Sequence, residues 1–480
     1  MPVPTSSPDE DGYRLWLRYE LISDSARLSE YRAAFETVVL AAAAPSATLL
    51  ATERELSAGL SGLLGQRVRT TDAAAMSGGC VLLGAARDLP TPGGHSPLLA
   101  ELGKEGFLIE QRTLAGARCL VITANEDIGV LYGVFHLLRQ LQTEAKLASI
   151  ALRSAPKLGL RMLNHWDNLD RTVERGYAGC SLWDWHKLPD YVSPQYLDYA
   201  RACASIGINA TVLTNVNANA LVLSAAYLHK VAALAEVFRP FGIRVFLTAR
   251  FSAPIELGAL GTADPLNEGV IRFWRDKAAE IYKIIPNFGG FLVKANSEGQ
   301  PGPQDYQRTH AEGANLLADA LAPHGGLVVW RAFVYAAEPD TDRAMQAYDE
   351  LTPLDGKFRS NVIVQVKNGP IDFQPREPFH PLFGALRQTR AVAEFQLTQE
   401  YLGCATHLAY LGPLIEEVLR SDTEVDGPGS TVARVLQKSE NISAPSGMAA
   451  VANIGNERNW CGHPFAQANW FAFGRFSWDP

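Results

Sequence analysis

The sequence lacks several features that would settle its class quickly. No run of the 480 residues approaches the ~20 consecutive apolar residues that a membrane-spanning helix needs. The first residues, Met1 to Trp16, carry neither a basic stretch nor an apolar core. No signal peptide is expected, and a cytoplasmic location follows. The six cysteines (Cys80, Cys119, Cys180, Cys203, Cys404 and Cys461) include no CxxC pair, so they read as buried thiols of a reducing compartment. Positive charge is not in excess. With a formal net charge of -8 there is no electrostatic case for nucleic acid. An acidic protein that binds an acidic ligand must gather its cations locally. No GxGxxG or Walker pattern follows any apolar strand, which weakens a nucleotide-binding reading.

What is present is the composition of an ordinary globular protein, 47% hydrophobic and 20% charged, long enough for two or three domains. Residues 1–150 mix helical and strand patterns. Helices are expected over Asp24–Ala43, Ala51–Leu64 and Asp127–Leu141, with a strand pair in Gly106–Glu110 and Cys119–Thr123. Ser154-Ala155-Pro156 reads as a linker. From there, over 151–480, short apolar strands alternate with helices. The expected strands are Leu158–Leu163, Ile208–Leu213, Ile243–Thr248, Gly290–Val293, Leu327–Trp330, Val362–Val366, Ala393–Leu397 and Ala449–Ile454. Helices fall at Pro194–Ser205, Ala225–Phe238, Pro265–Ile284 and Thr309–Leu321. Ser193-Pro194 and Asp264-Pro265 read as helix starts, a capping residue before proline. The repeat predicts an α/β fold, a (β/α)8 TIM barrel preceded by a smaller α+β domain. A last helix is expected around His463–Phe471. The ending Trp478-Asp479-Pro480 resembles a cut rather than a natural terminus.

A TIM barrel builds its active site from the C-terminal ends of the strands. Strand one is followed by Asn164, His165, Trp166 and Asp167, and strand two by Asn215, Val216 and Asn217. Strand three ends at Arg250. Strand four leads to Lys294, Asn296 and Glu298, and strand five to Arg331. Strand six leads to Lys367, Asn368 and Asp372, strand seven to Gln399 and Glu400, and strand eight to Asn453. Cations after strands three to six are unusual company for the carboxylates Glu298, Asp372 and Glu400. Cleaving a glycosidic bond needs one carboxyl to protonate the leaving oxygen and another to activate water or attack directly. The cations suit a carboxylate on the substrate, Lys as a point charge and Arg as a fork. The alternative is that these charges pair among themselves as rim salt bridges. Trp166 is either a sugar-stacking platform or a core tryptophan. His165 is the only histidine at an expected strand end, so no metal is expected.

Several longer strings are specific. Leu163–Asp170, Glu174–Gly179, Ser297–Pro303, Lys367–Gln374 and Gln399–Gly403 resemble the α-glucuronidases of glycoside hydrolase family 67, and the similarity runs from Glu10 to the last residues. The resemblance implies an inverting hydrolase, without cofactor. Its substrates are glucuronoxylan-derived oligosaccharides, from which it releases α-1,2-linked (4-O-methyl)glucuronic acid. It implies Glu298 as general acid and Asp372 and Glu400 as the carboxylates that activate water. It further implies Lys294, Arg331 and Lys367 around the uronate, Trp166 as a pocket wall and Val216 near the 4-O-methyl group. Family members usually read Lys-Ala-Asp-Ser-Glu where this chain has Lys294-Ala295-Asn296-Ser297-Glu298, which removes a negative charge beside the acid. Relatives also continue into a helical domain that supports the barrel, forms a homodimer contact and adds an aromatic wall. An acidic-carbohydrate-binding protein that kept the pocket without turnover is the competing expectation, and a lyase or isomerase of acidic sugars a third.

Overall fold

The computed structural model describes residues 10–71, 78–89, 97–114, 116–175, 178–217, 219–333, 342–403, 407–438 and 444–480. Six strands form the first sheet: β1 Thr37–Leu40, β2 Arg69–Thr71, β3 Gly79–Ala85, β4 Phe107–Leu114, β5 Ala117–Ala124 and β6 Leu152–Ser154. Their order is β2-β1-β3-β5-β4-β6, parallel through β5 and antiparallel at β4 and β6. The β4–β5 pair is the expected one. The first helix, by contrast, ends at Ala34, and Thr37-Val38-Val39-Leu40 is a strand. Three β-branched residues fit the pleat of a buried strand, whereas the alanines that follow made the segment read as helix. The helix Asp127–Gln142 covers this sheet with Val130, Leu131, Val134, Leu137 and Leu138 fully buried.

Eight parallel strands then close into a barrel: β7 Leu160–His165, β8 Ala210–Val212, β9 Arg244–Thr248, β10 Gly290–Val293, β11 Leu327–Arg331, β12 Val362–Lys367, β13 Arg390–Gln396 and β14 Gly447–Ala452. All eight fall where the apolar runs placed them, with ends shifted by a few residues. β14 closes on β7 through the register Gly447↔Leu160 to Ala452↔His165. Alternate residues point inward, among them Leu160 and Met162, Val212, Phe246, Leu292, Val329, Ile363, Val392 and Val451, and form one packed cluster. Parallel strands covered on both faces need such near-continuous apolar runs. The same parity carries Trp166, Lys294, Arg331 and Lys367 to the mouth of the barrel.

Helix starts follow local capping chemistry. Ser193 accepts from the N–H of Gln195 with Pro194 in the first turn, and Thr309 and Glu312 cap each other reciprocally. Asp264-Pro265 is not a start. Asp264 accepts from the Leu266 N–H and pairs with Arg308, and Asn267 caps the helix Glu268–Ile284 instead. The last helix runs further than expected, Pro464–Trp478. Its Trp478 indole donates to Ser154 Oγ and packs against Arg161. Arg161 is fully buried and forked onto Glu105, joining the barrel to the first sheet.

The reading of all six cysteines as thiols needs correction. Cys80 and Cys119 stand opposite each other on β3 and β5, Cα atoms 4.7 Å apart, and form a disulfide. They are 39 residues apart in sequence, and only the parallel register brings them together. Cys203 and Cys461 are buried thiols, Cys180 is exposed, and Cys404 lies outside the described residues.

Candidate active site

Lys294 immediately follows β10, and Arg331 and Lys367 are the last residues of β11 and β12. All three side chains are almost fully buried, yet their charged ends converge on one ring. Lys294 Nζ lies 5.5 Å, the Arg331 guanidinium 5.4 Å and Lys367 Nζ 3.3 Å from the centroid of Phe333. Lys367 also lies 4.6 Å from the Phe373 ring, and Arg331 5.9 Å from that of Trp166. Aromatic faces offset part of the cost of desolvating a cation. Three cations share this small volume, two of them lysines. Burial, together with the repulsion of Arg331, pushes Lys367 down to about 8, and burial also lowers Lys294.

Each cation faces a carboxylate. Lys294 Nζ donates to Glu298 at 2.5 Å and to Asn217 Oδ1 at 3.0 Å. Lys367 pairs with Asp372, whose second oxygen accepts from the Tyr401 hydroxyl at 3.0 Å. Arg331 is different. Its Nε and Nη2 both donate to Glu394 Oε2 at 3.1 Å, and both partners are buried. The rim salt bridges considered from the sequence thus exist. Glu394 is sealed in the barrel, however, while Glu298 and Asp372 keep 55% and 27% of their side-chain surface open to solvent. Glu400 accepts from Arg175 at 2.6 Å and from Gln396 at 3.0 Å. Its neighbour Tyr401 reaches Asp372, which brings the strand-six and strand-seven carboxylates to one side.

The backbone is held in unusual conformations at the same places. Arg175, Asn296, Glu298, Phe373 and Gln399 have φ between 50° and 59°. Left-handed conformations at non-glycine residues cost free energy and collect at functional loops. The Glu298 loop is fastened from behind. Asn296 accepts from the Gln304 N–H and its amide faces Asp305 at 3.4 Å, so an aspartate here would oppose a like charge. A Cβ on Gly302 would come within 2.0 Å of Asn296 Oδ1, so only glycine allows the close approach.

Trp166 and Val216 are 6% and 4% exposed and belong to the top of the barrel's inner cluster. Trp166 Nε1, both amide atoms of Asn164, Gln365 and Gln399, and Thr398 Oγ1 are buried with no hydrogen-bond partner. Such atoms are rare in a folded interior. Other expected residues go elsewhere. His165 is fully buried with its Nε2 at 2.9 Å from the Tyr199 hydroxyl, behind the strand. Arg250 is engaged with Glu256 and Gln300 beside the site. Among the described residues no group of three or more His, Cys, Asp or Glu is placed to hold a metal.

Sequence reasoning missed Phe333, Tyr401, Arg175 and Glu394. Glu394 had a readable signal, a lone acid between the apolar Ala391-Val392-Ala393 and Phe395 within a strand. The pairing of Arg175 with Glu400 crosses 225 positions of sequence and had none.

The glycosyl hydrolase family 67 middle-domain model matches residues 140–460, and the family 67 N-terminus model matches residues 15–137. Among curated relatives, the chain is 40% identical to alpha-glucuronidase A of Emericella nidulans over 98% of its own length and 56% of that protein. It is 44% identical to a probable alpha-glucuronidase A of Aspergillus clavatus over 79% of its length and 45% of that protein. The chain thus spans about half the length of the curated relatives it matches. In fold it resembles a GH138 enzyme targeting pectin rhamnogalacturonan II (TM-score 0.54, 16% identity, 92% of this chain and 50% of that one). It also resembles a GH115 4-O-methyl-alpha-glucuronidase with specificity for decorated arabinogalactans (TM-score 0.51, 12% identity, 93% and 57%). With matches to both family models that together run from residue 15 to 460, the chain belongs to glycosyl hydrolase family 67.

Proposed function

We propose that this chain is an inverting α-glucuronidase that releases α-1,2-linked (4-O-methyl)glucuronic acid from xylooligosaccharides. The observation that carries the proposal is the convergence of buried Lys294, Arg331 and Lys367 on Phe333, beside solvent-open Glu298 and Asp372. Three buried cations are costly to keep in one place, and a sugar carboxylate is a ligand that uses them. The relatives named as alpha-glucuronidases support the same activity. In this reading Glu298 protonates the leaving oxygen. Asp372, oriented by Tyr401, and Glu400, held by Arg175 and Gln396, activate the water. Trp166 and Val216 wall the sugar. A bound uronate competes with Glu298 for Lys294 and with Asp372 for Lys367, so recognition of the acid group and release of the reacting carboxyls are one event.

The stereochemical test follows the first turnover of an aldouronic oligosaccharide by NMR. An inverting enzyme keeps its two carboxyls roughly 6.5–9.5 Å apart to admit a water, and α-linked substrate should give β-glucuronic acid first. An α-product means retention and removes the water-activating role of Asp372 and Glu400. Binding without any free glucuronic acid selects the carbohydrate-binding reading, and an unsaturated product a lyase.

Recognition should also depend on pH. Lys367, lowered to about 8 by burial, loses its charge as pH rises through that value. Affinity for glucuronic acid should therefore be full below about 8 and fall above it, while affinity for glucose stays level. Calorimetric titration across this range checks it, and a level profile for the acid means Lys367 does not hold the uronate.

A further inference from the structure

A chain of hydrogen bonds runs from a barrel strand to the loop that carries Glu298. Asn296 Oδ1 accepts from the Gln304 N–H at 3.0 Å, and the Gln304 side chain donates to Glu350 Oε2 at 2.8 Å. Glu350 lies on the helix Arg343–Leu351, and the same oxygen is 3.1 Å from Nε2 of His310, the first residue of the helix His310–Leu321. His310 is 2% exposed. Its Nδ1 lies 3.2 Å from the indole nitrogen of Trp330, the residue before Arg331 on β11. An indole can only donate, so Nδ1 accepts, and Nε2 carries the proton that it gives to Glu350. Gln346 donates to the other oxygen of Glu350 at 3.1 Å. Burial works against the charge of Glu350, but hydrogen bonds from His310, Gln304 and Gln346 outweigh it and hold the carboxyl below its ordinary range.

Resting on the reading of Glu298 as the general acid, we infer that Glu350 and His310 are positioning residues for it. Through Gln304 and Asn296 they tie the Glu298 loop to β11 and fix where the carboxyl points. The loop needs such a tie. Asn296 and Glu298 both have φ of 50°, a conformation that persists only where the surroundings enforce it. The carboxylate of Glu298 is held directly by Lys294, and a bound uronate competes for that ammonium. Once the substrate has taken it, the aim of Glu298 depends on its backbone, and the backbone depends on the network behind it. A buried network with every member satisfied is rigid, whereas the loss of one member leaves the others unpaired. Trp330 anchors the far end in the barrel wall, one residue from Arg331. The acid and one of the cations are thereby referred to the same strand.

The test measures kcat and KM of Glu350→Ala in the 480-residue chain on an aldouronic oligosaccharide and on an aryl glucuronide with an activated leaving group. A misplaced acid harms only the substrate that needs its proton. On the oligosaccharide kcat should fall roughly 10- to 100-fold, since a shift of about 1 Å at the reacting atoms costs up to about 100-fold, with KM nearly unchanged. On the aryl glucuronide the loss should be much smaller. Glu350→Gln, whose amide oxygen can still take both Gln304 and His310, should recover most of the rate. Gln304→Ala, at an exposed position, cuts the same chain and decides the matter if Glu350→Ala fails to fold. Its loss should show the same preference and be roughly three- to tenfold, the worth of one hydrogen bond. Equal loss on the two substrates, no loss on either, or no recovery in Glu350→Gln overturns the positioning role. Glu298→Gln, measured alongside, keeps the two readings apart: if it too fails to distinguish the substrates, the acid assignment itself falls, whereas selective loss in Glu298→Gln alone removes only Glu350 and His310.

Discussion

Glu298→Gln should lower turnover of an aldouronic oligosaccharide by roughly 100- to 10,000-fold, the usual contribution of a positioned general acid. The amide is nearly the same shape and still accepts from Lys294, so binding should change little and the loss should fall on kcat. The diagnostic comparison is an aryl glucuronide with an activated leaving group. Its phenolate departs with little protonation, so the variant should keep much more of its rate there. Steady-state kinetics on both substrates reads the difference. An equal loss on the two means that Glu298 does something other than donate a proton, for instance holding Lys294 in place. The open position of the carboxylate, 55% exposed, lets it exchange protons with solvent between turnovers. The left-handed backbone at Glu298 and the fastening of Asn296 to the Gly302–Asp305 turn aim it in advance of binding.

How much of this was readable before the fold was known depends on range. The barrel strands were, because a parallel strand buried on both faces leaves a run such as Val362-Ile363-Val364 that little else explains. Once the strands are placed, period two and the strand-end rule deliver Lys294, Arg331 and Lys367 to the mouth together. Glu298, Asp372 and Glu400 sit on loops a few residues further, where the strand end still constrains them. The misses are contacts between distant segments. Phe333 organises all three cations, but an aromatic two residues past a strand is unremarkable as sequence. Cys80 and Cys119 look alike to four other cysteines until the order β1-β3-β5 puts them side by side. Asp264-Pro265 carried a good local start signal, and Asn267 won because Asp264 had a stronger tertiary use in Arg308.

Replacing a cation should separate the acidic sugar from its neutral analogue. For Arg331→Ala or Lys367→Ala, loss of a buried charge-assisted hydrogen bond should cost about 2–5 kcal/mol in binding glucuronic acid. Glucose, which has no carboxylate to offer, should lose far less. Titration of both ligands against each variant measures the gap. The three positions should not behave identically. Arg331→Ala strands Glu394, fully buried, without its fork, so that variant should also lose thermal stability, since breaking one half of a buried pair leaves an uncompensated charge. Lys294→Ala leaves Glu298, which is largely solvated, and should fold normally. Its effect on turnover then reports the competition between substrate and acid for one ammonium. With that ammonium gone, glucuronic acid binding falls, yet Glu298 no longer has to be displaced, so kcat should suffer less than KM. If glucose and glucuronic acid weaken together in all three variants, the cations serve only the rim of the barrel and the preference for an acidic sugar has no basis in them.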